Sequence, residues 1–312
     1  MLDKKDKIIF EHLLHDCRVP IKYLSKITHL SKPTISYRIK KLEEKGYISK
    51  YDAILDHKKF FKKTQVIFIQ VKKSKEKEIE KKLLKNKDIA SIICLIHEYN
   101  YLLMATTDNI DSLKKFLKKV TLKYRTYEIK QIEFFPFSVF EIPIKYEPKK
   151  IKKQIQTIKP LKLDNIDIKI IKVLSDGGAR DSILEISRKT KIKPETVLYR
   201  FRRFKKENLF PWFVAQPGTQ KFSLQNDVIK FKIKNLEHEE VMNKIGMIKK
   251  CAWLARIGKD VYITQILTTN FKEYKETLES IHNIFQDDLV KSEIYNTKGL
   301  LKINEYNFDD LK

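Results

Sequence analysis

A chain of 312 residues is longer than one hydrophobic core comfortably serves, and its 42% apolar content is enough to pack several. No apolar run approaches the ~18–20 residues of a membrane span, the first residues are charged rather than signal-like, and Cys17, Cys94 and Cys251 are too scattered to frame a disulfide scaffold, so a cytoplasmic protein without a membrane partner is expected. The 65 Lys and Arg against 40 Asp and Glu leave a formal net charge of +25, which favours a polyanionic partner, nucleic acid first.

AT-rich codons would also yield much Lys, Ile and Asn and little Gly, so composition needs support from pattern. Residues 1–160 hold 37 basic and 19 acidic residues, and 161–312 hold 28 and 21, so both halves stay positive.

In chain order, residues 3–16 show helical spacing, with Ile8, Ile9 and Leu13 in a stripe and Asp3 and Asp6 placed as a capping-box variant. Pro20 precedes a short helix over Ile21–Thr28. Ser31 and Pro33 then suit the start of a third helix, Lys32–Lys45, with Ile35, Ile39 and Leu42 inward and Gly46 at its end. Tyr47-Ile48 and Asp52–Leu55 read as a two-stranded wing. Three short helices and a wing make a winged helix-turn-helix. Its third helix exposes Ser31, Lys32, Thr34, Ser36, Tyr37, Arg38, Lys40 and Lys41, residue types that meet phosphates and base edges in a major groove.

Beyond residue 64 the pattern changes to strand Gln65–Val71, helix Ser74–Asn86, strands Ile89–His97 and Tyr101–Thr107, helix Ile110–Leu122 and a long strand Ile129–Ile142. The order β-α-β-β-α-β is that of a ferredoxin-like sandwich, with one sheet face left to be covered by pairing. The Lys72–Lys82 run reads as a solvated helix face. A Lys-rich stretch, 147–160, links to a second round of the same plan.

That second round is a duplication. Leu2-Asp3-x-x-Asp6 returns as Leu163-Asp164-x-x-Asp167, Tyr37-Arg38 as Tyr199-Arg200, and Tyr101 as Tyr262, at offsets of 161–162 residues. Helices are expected near 164–175, 183–190 and 194–207 and a wing near 209–216. Strands follow at Val228–Lys234, Ala252–Ile257, Val261–Leu267 and Leu289–Tyr295. The second recognition face is Glu195, Thr196, Tyr199, Arg200, Arg202 and Arg203. Lys193 replaces the Ser31 cap, Asn208 replaces Gly46, and the wing carries Pro211 and Trp212.

The fold class is therefore α+β, in five segments: winged helix-turn-helix 1–56, sandwich 57–146, basic linker 147–160, winged helix-turn-helix 161–216 and sandwich 217–312. The fused copies are expected to pair within one chain as a pseudo-dimer, with higher homo-oligomers built from it. They should read an asymmetric site on double-stranded DNA, Arg38 making a bidentate guanine contact.

Leu2-Asp3-x-x-Asp6-x-x-Ile9, Leu30-Ser31, Ile35-x-x-Arg38-Ile39-x-x-Leu42-Glu43-x-x-Gly46-Tyr47-Ile48 and Leu55-Asp56 resemble the DNA-binding domain of the leucine-responsive/asparagine-operon (Lrp/AsnC) regulators. The domain that follows looks like that family's effector and oligomerisation domain. The resemblance implies a transcriptional regulator, not an enzyme, that needs no cofactor and is modulated by a small effector such as an amino acid. The family's Gly-x-Tyr-Asp-type effector turn corresponds here to His97, Glu98, Tyr99 and Asn100 in the first copy and to Gly258, Lys259 and Asp260 in the second. Neither matches cleanly: His97 stands for Gly, Asn100 for Asp, and the second copy keeps Gly258 but shifts the acid. Glu98 or Asp260 would pair an effector's ammonium group. The competing enzyme reading is a siroheme decarboxylase-like protein, which shares the two-domain plan, but that family's His-Asn-Tyr-x-Arg-like signature is absent. His12, His15 and Cys17 lack a spaced fourth metal ligand.

Overall fold

The computed structural model describes residues 2–56, 59, 63–96, 98–107, 109–135, 138–140, 142 and 163–302. In chain order the first half holds α1 (Lys4–His15), α2 (Ile21–Thr28), α3 (Lys32–Glu44), β1 (Ile48–Ile54), β2 (Lys63–Gln70), α4 (Glu76–Lys85), β3 (Ile89–Leu95), β4 (Tyr101–Thr107), α5 (Ile110–Val120), β5 (Lys123–Glu128) and β6 (Gln131–Phe134). The second holds α6 (Asn165–Ser175), α7 (Ile183–Thr190), α8 (Pro194–Lys206), β7 (Trp212–Pro217), α9 (Thr219–Phe222), β8 (Gln225–Ile233), α10 (His238–Gly246), β9 (Cys251–Arg256), β10 (Val261–Thr268), α11 (Phe271–Phe285), β11 (Leu289–Tyr295) and β12 (Thr297–Lys302). No helix among the described residues is long and apolar enough to cross a membrane.

These elements gather into two units, each drawn from both halves of the chain. Residues 1–60 with 136–223 form the helical unit, and 61–135 with 224–310 form the sandwich unit.

In the helical unit the local signals act as the sequence leads one to expect. Asp3 and Asp6 form a capping box on α1, and Asp164 and Asp167 form its counterpart on α6. Ser31 caps α3 through the Thr34 amide, while α8 begins at Lys193 with no side-chain cap. Gly46 and Asn208 take left-handed φ values of 71° and 49° after these helices. Ile35, Ile39 and Leu42 are buried under α3, as are Val197, Phe201 and Phe204 under α8.

The wings correct the sequence expectation of a separate two-stranded wing in each copy. Each copy contributes one strand, and β1 pairs antiparallel with β7. A lone strand leaves a row of unpaired amides, and here the partner row comes from the other copy. Asp52 lies opposite Val214, its own equivalent at the 162-residue offset (214 − 52), so the local two-fold passes through that pair.

In the sandwich unit, β2-α4-β3-β4-α5-β5 and β8-α10-β9-β10-α11-β11 are the two βαββαβ modules. The sheets run β12-β3-β4-β2-β5 and β11-β8-β10-β9-β6, so β6 of the first copy adds to the second sheet and β12 of the second copy adds to the first. Of the long strand expected over Ile129–Ile142 the described residues form only β6, Gln131–Phe134, and an unforeseen strand, β5, precedes it. Strand β5 pairs with β2, and after a turn β6 leaves for β9. Each module keeps a core between its helices and its sheet, around Tyr101, Leu103 and Leu117 in one and Phe231, Tyr262 and Phe285 in the other. A third core, with Val66, Phe68, Leu95, Val228, Ile257 and Ile263, draws on both copies' strands and covers the opposite sheet faces. Each fully buried aliphatic or aromatic side chain there contributes about 1.5–3 kcal/mol.

Candidate nucleic-acid interface

The turn leading into each third helix is built twice by the same residues. The hydroxyl of Ser25 donates to the Leu30 carbonyl and that of Thr28 to the Leu24 carbonyl, at 2.6 and 2.7 Å. Ser187 and Thr190 repeat these bonds to Ile192 and Ile186 at the same distances. His29 and Lys191, again 162 apart, take the left-handed conformation that reverses the chain, at φ 55° and 58°. The repeated Ser-x-x-Thr spacing is the mark this turn leaves in the sequence.

On α3, Lys32, Ser36, Tyr37, Lys40 and Lys41 are exposed, Ser31 is exposed at the cap, and Thr34 is half-buried with its hydroxyl bonded to that of Ser31 at 2.7 Å. On α8, Glu195, Tyr199 and Arg202 are exposed and Thr196 is half-buried. Lys206 extends this exposed cationic face beyond the residues expected from sequence, while the Lys205 ammonium lies over the Phe201 ring, 5.0 Å from its centroid.

Three arginines are placed elsewhere. Arg38 reaches back to the first helix and pairs with Asp3 at 2.7 Å and Asp6 at 2.5 Å. Arg200 pairs with Asp164 at 2.8 Å and Asp167 at 3.2 Å, and Arg203 pairs with Asp167 at 2.6 Å. The Asp6 amide and then Arg38 hold the Asp3 carboxyl below its usual range. Burial works to raise the Asp164 carboxyl, but the Asp167 amide and Arg200 outweigh it, and it too lies below its usual range. In the structure the Arg38 Nη1, which the sequence reading assigns to a guanine contact, is shared between the carboxylates of Asp3 and Asp6. Arg38 and Arg200 fix the recognition helices onto the capping boxes of α1 and α6.

A reciprocal clasp joins the two helix-turn-helix copies. Arg18 donates to the Asp181 carbonyl at 3.0 Å, and Arg180, its equivalent, donates to the Cys17 carbonyl. The Cys17 amide bonds the Phe213 carbonyl, and the Ala179 amide bonds the Tyr51 carbonyl. The Arg18 guanidinium lies 4.5 Å from the Phe201 ring centroid and 5.2 Å from that of Phe213; among the described residues Arg180 has one ring, that of Tyr51, at 5.8 Å. With β1–β7 between them, the two recognition helices belong to one compact unit.

The candidate effector turns present paired groups. Glu98 is held by Lys123 at 2.6 Å, and Asp260 by Lys232 at 3.2 Å. Tyr99 is buried in the core between the sheets, and the Asn100 side chain accepts the Val71 amide at 2.8 Å. A Cβ on Gly258 would sit 3.2 Å from the Val261 Cβ, so this glycine serves a close turn. Lys259 is exposed. His97 and the linker 147–160 lie outside the described residues. A groove along α11, lined by Phe271, Tyr274, Leu278 and His282, contains none of these candidates.

A winged helix-turn-helix DNA-binding family model matches residues 2–49 and again 163–209. The HTH-type transcriptional regulator FL11 of Pyrococcus furiosus is 36% identical over 121 residues, covering 38% of this chain and 80% of the relative. The HTH-type transcriptional regulator Ptr1 of Methanocaldococcus jannaschii is 29% identical over 141 residues, covering 41% of this chain and 95% of that protein. Among solved structures, the siroheme decarboxylase NirDL aligns over 97% of this chain and 94% of its own, with a TM-score of 0.62 and 12% identity. That likeness extends the shared architecture over the full duplicated plan and concerns the fold alone.

Proposed function

Because this chain belongs to the Lrp/AsnC family of helix-turn-helix transcriptional regulators, we propose that it binds double-stranded DNA sequence-specifically and controls transcription with two recognition helices supplied by a single chain. The observation that carries this reading is the helical unit itself. Two cationic, hydroxyl-bearing helices are joined through a sheet whose central pair, Asp52 and Val214, relates one copy to the other. A family that reads DNA as a dimer needs two such helices at a fixed separation, and here one polypeptide carries both. Lys32, Lys40, Lys41, Arg202 and Lys206 supply phosphate contacts, with Ser36 and Thr196 as adaptable polar contacts.

The reading is of a binder rather than a catalyst. A decarboxylase-like site would gather His, Tyr and Arg side chains around a tetrapyrrole's acetate groups. The Tyr99 side chain that such a site would use is packed in the apolar core between the sheets. Control by a free amino acid is a finer proposal. With Glu98 and Asp260 ion-paired, an effector's ammonium group would have to displace Lys123 or Lys232.

Selection of bound duplexes from a random pool, followed by affinity measurement across a salt series, tests the proposal. One chain should enrich a bipartite, asymmetric site, and the logarithm of affinity should fall linearly with the logarithm of salt. A pool that stays random, or a salt-insensitive complex, would overturn it.

A further inference from the structure

Resting on the DNA-binding reading above, we infer that Tyr37 and Tyr199 each pack their ring against a thymine methyl group, so that the two otherwise different half-sites share one thymine. The recognition faces have diverged: Lys32 against Pro194, Ser36 against Leu198, Lys40 against Arg202. Three positions on these helices are kept, Thr34/Thr196, Tyr37/Tyr199 and Arg38/Arg200. Both arginines are tied to the capping aspartates, and both threonines are half-buried.

The tyrosines alone are both kept and open. Each is 64% exposed, and among the described residues no other aromatic or branched aliphatic side chain of α3 or α8 is exposed. Each is the sixth residue of its thirteen-residue helix. It follows the half-buried threonine by three positions, so the two lie on one face. Cations follow three positions later, at Lys40 and Arg202, where they suit phosphates beside the groove.

One cation lies near each ring, Lys41 at 5.8 Å from the Tyr37 centroid and Arg200 at 5.9 Å from that of Tyr199, yet most of each ring stays in solvent, apolar surface that burial against a partner would stabilise. The major groove offers one apolar partner, the C5-methyl of thymine, which the other bases lack. A phosphate or a guanine edge would be met better by the lysines beside it. The operator should therefore hold one thymine per half-site at positions related by the local two-fold, within flanks that differ.

The test uses the full chain and its selected duplex, with each thymine replaced in turn by deoxyuridine, which removes only the methyl. One replacement in each half-site should weaken binding by roughly threefold to fivefold, about the worth of one buried methyl. Tyr37→Ala should erase the penalty in the first half-site only, Tyr199→Ala in the second only, and Tyr37→Phe should retain it. Equal melting temperatures keep the variants comparable, as expected for side chains this exposed. If every deoxyuridine is neutral, or if Tyr37→Phe loses as much as Tyr37→Ala, the hydroxyl rather than the ring meets the DNA and the inference falls while DNA recognition stands. If the unaltered chain enriches no duplex at all, the DNA-binding reading and this inference fall together.

Discussion

The two halves share nearly every backbone element and differ in charge where they meet. At the centre of the wing sheet the first copy places Asp52, 1% exposed, and the second places Val214. Between the sandwich sheets, the first copy has Phe68 across from Arg125 and the second has Lys230 across from Glu293 at the same ladder positions. Lys230 is paired to Glu293 at 2.6 Å, and its ammonium lies 5.5 Å from the Tyr127 ring centroid and 5.9 Å from that of Phe68. Pairing the first copy with itself would set two buried carboxylates opposite one another. Pairing the second with itself would bring two Lys230 side chains together. Like charges directly opposed in a sheet are destabilising, so each half suits the other better than itself. Duplication followed by divergence has turned a symmetric interface into a directional one, and the covalent tether adds a high effective concentration.

The comparison can be broken most directly at its centre. Val214→Asp should place a second, half-buried carboxylate opposite the buried Asp52 and destabilise the helical unit by about 3 kcal/mol, measured by urea unfolding. Asp52→Val, which makes the pair apolar on both sides, should be neutral or stabilising, because it removes a buried charge held by Lys50 at 3.1 Å. A Val214→Asp protein as stable as its parent would mean that the charge difference does not matter to pairing.

The clasp gives a second, smaller contrast. Arg18→Ala removes a carbonyl bond and contacts with two rings, and should cost roughly 2–3 kcal/mol. Arg180→Ala removes the equivalent bond and one ring, and should cost about half of that. Equal losses would show that the flanking aromatics contribute nothing beyond the shared hydrogen bond.

Arg38→Ala sharpens the functional side. Its side chain is 23% exposed in a surface pair, so the expected stability loss is about 1 kcal/mol after screening. Binding should weaken by similar factors on the selected duplex and on random DNA, because the substitution loosens the helix and leaves base readout to other side chains. A loss confined to the selected site would restore Arg38 to base readout.

Much of this was legible in the sequence because it is local. Caps at Asp3, Ser31 and Asp164, the buried stripes of α3 and α8, and the βαββαβ order each depend on residues a few positions apart. What escaped is non-local. Alternation in Ile48–Ile54 identifies a strand but cannot say that its partner lies more than 150 residues away. Likewise the polar, aromatic run Lys123–Glu128 carries no apolar signal, so β5 is not legible there and β6 reads as the start of one long strand. Arg38 escaped because it sits at a helical angle compatible with either the groove or the first helix. The clue was the joint return of Asp-x-x-Asp and Tyr-Arg in both copies, which marks a partnership rather than two separate features.

The smallest expected contrast concerns acid. The first copy places His12 and His15 on α1, where the second, aligned on its capping box at an offset of 161 residues, has Val173 and Asp176. Burial, and then the neighbouring His12, push His15 down to about 4, and burial also lowers His12 despite its bond to the Ile8 carbonyl. A histidine kept neutral by the fold takes up its proton more readily when unfolded, where its pKa is about 6.5. The unfolded state therefore binds more protons in the window between, and stability falls as pH falls. The contribution should be complete above about pH 6.5 and drain away toward pH 4. Partial solvent access keeps it small beside the three effects above. Hydrogen exchange at pH 7 and pH 4.5 should show α1 losing more protection than α6, and His12→Val, which copies the second half, should narrow the gap. Equal loss in both helices would assign the acid response to Asp3 and Asp164, the capping carboxylates that the copies share and that the fold holds below their usual range, and not to the histidines that distinguish them.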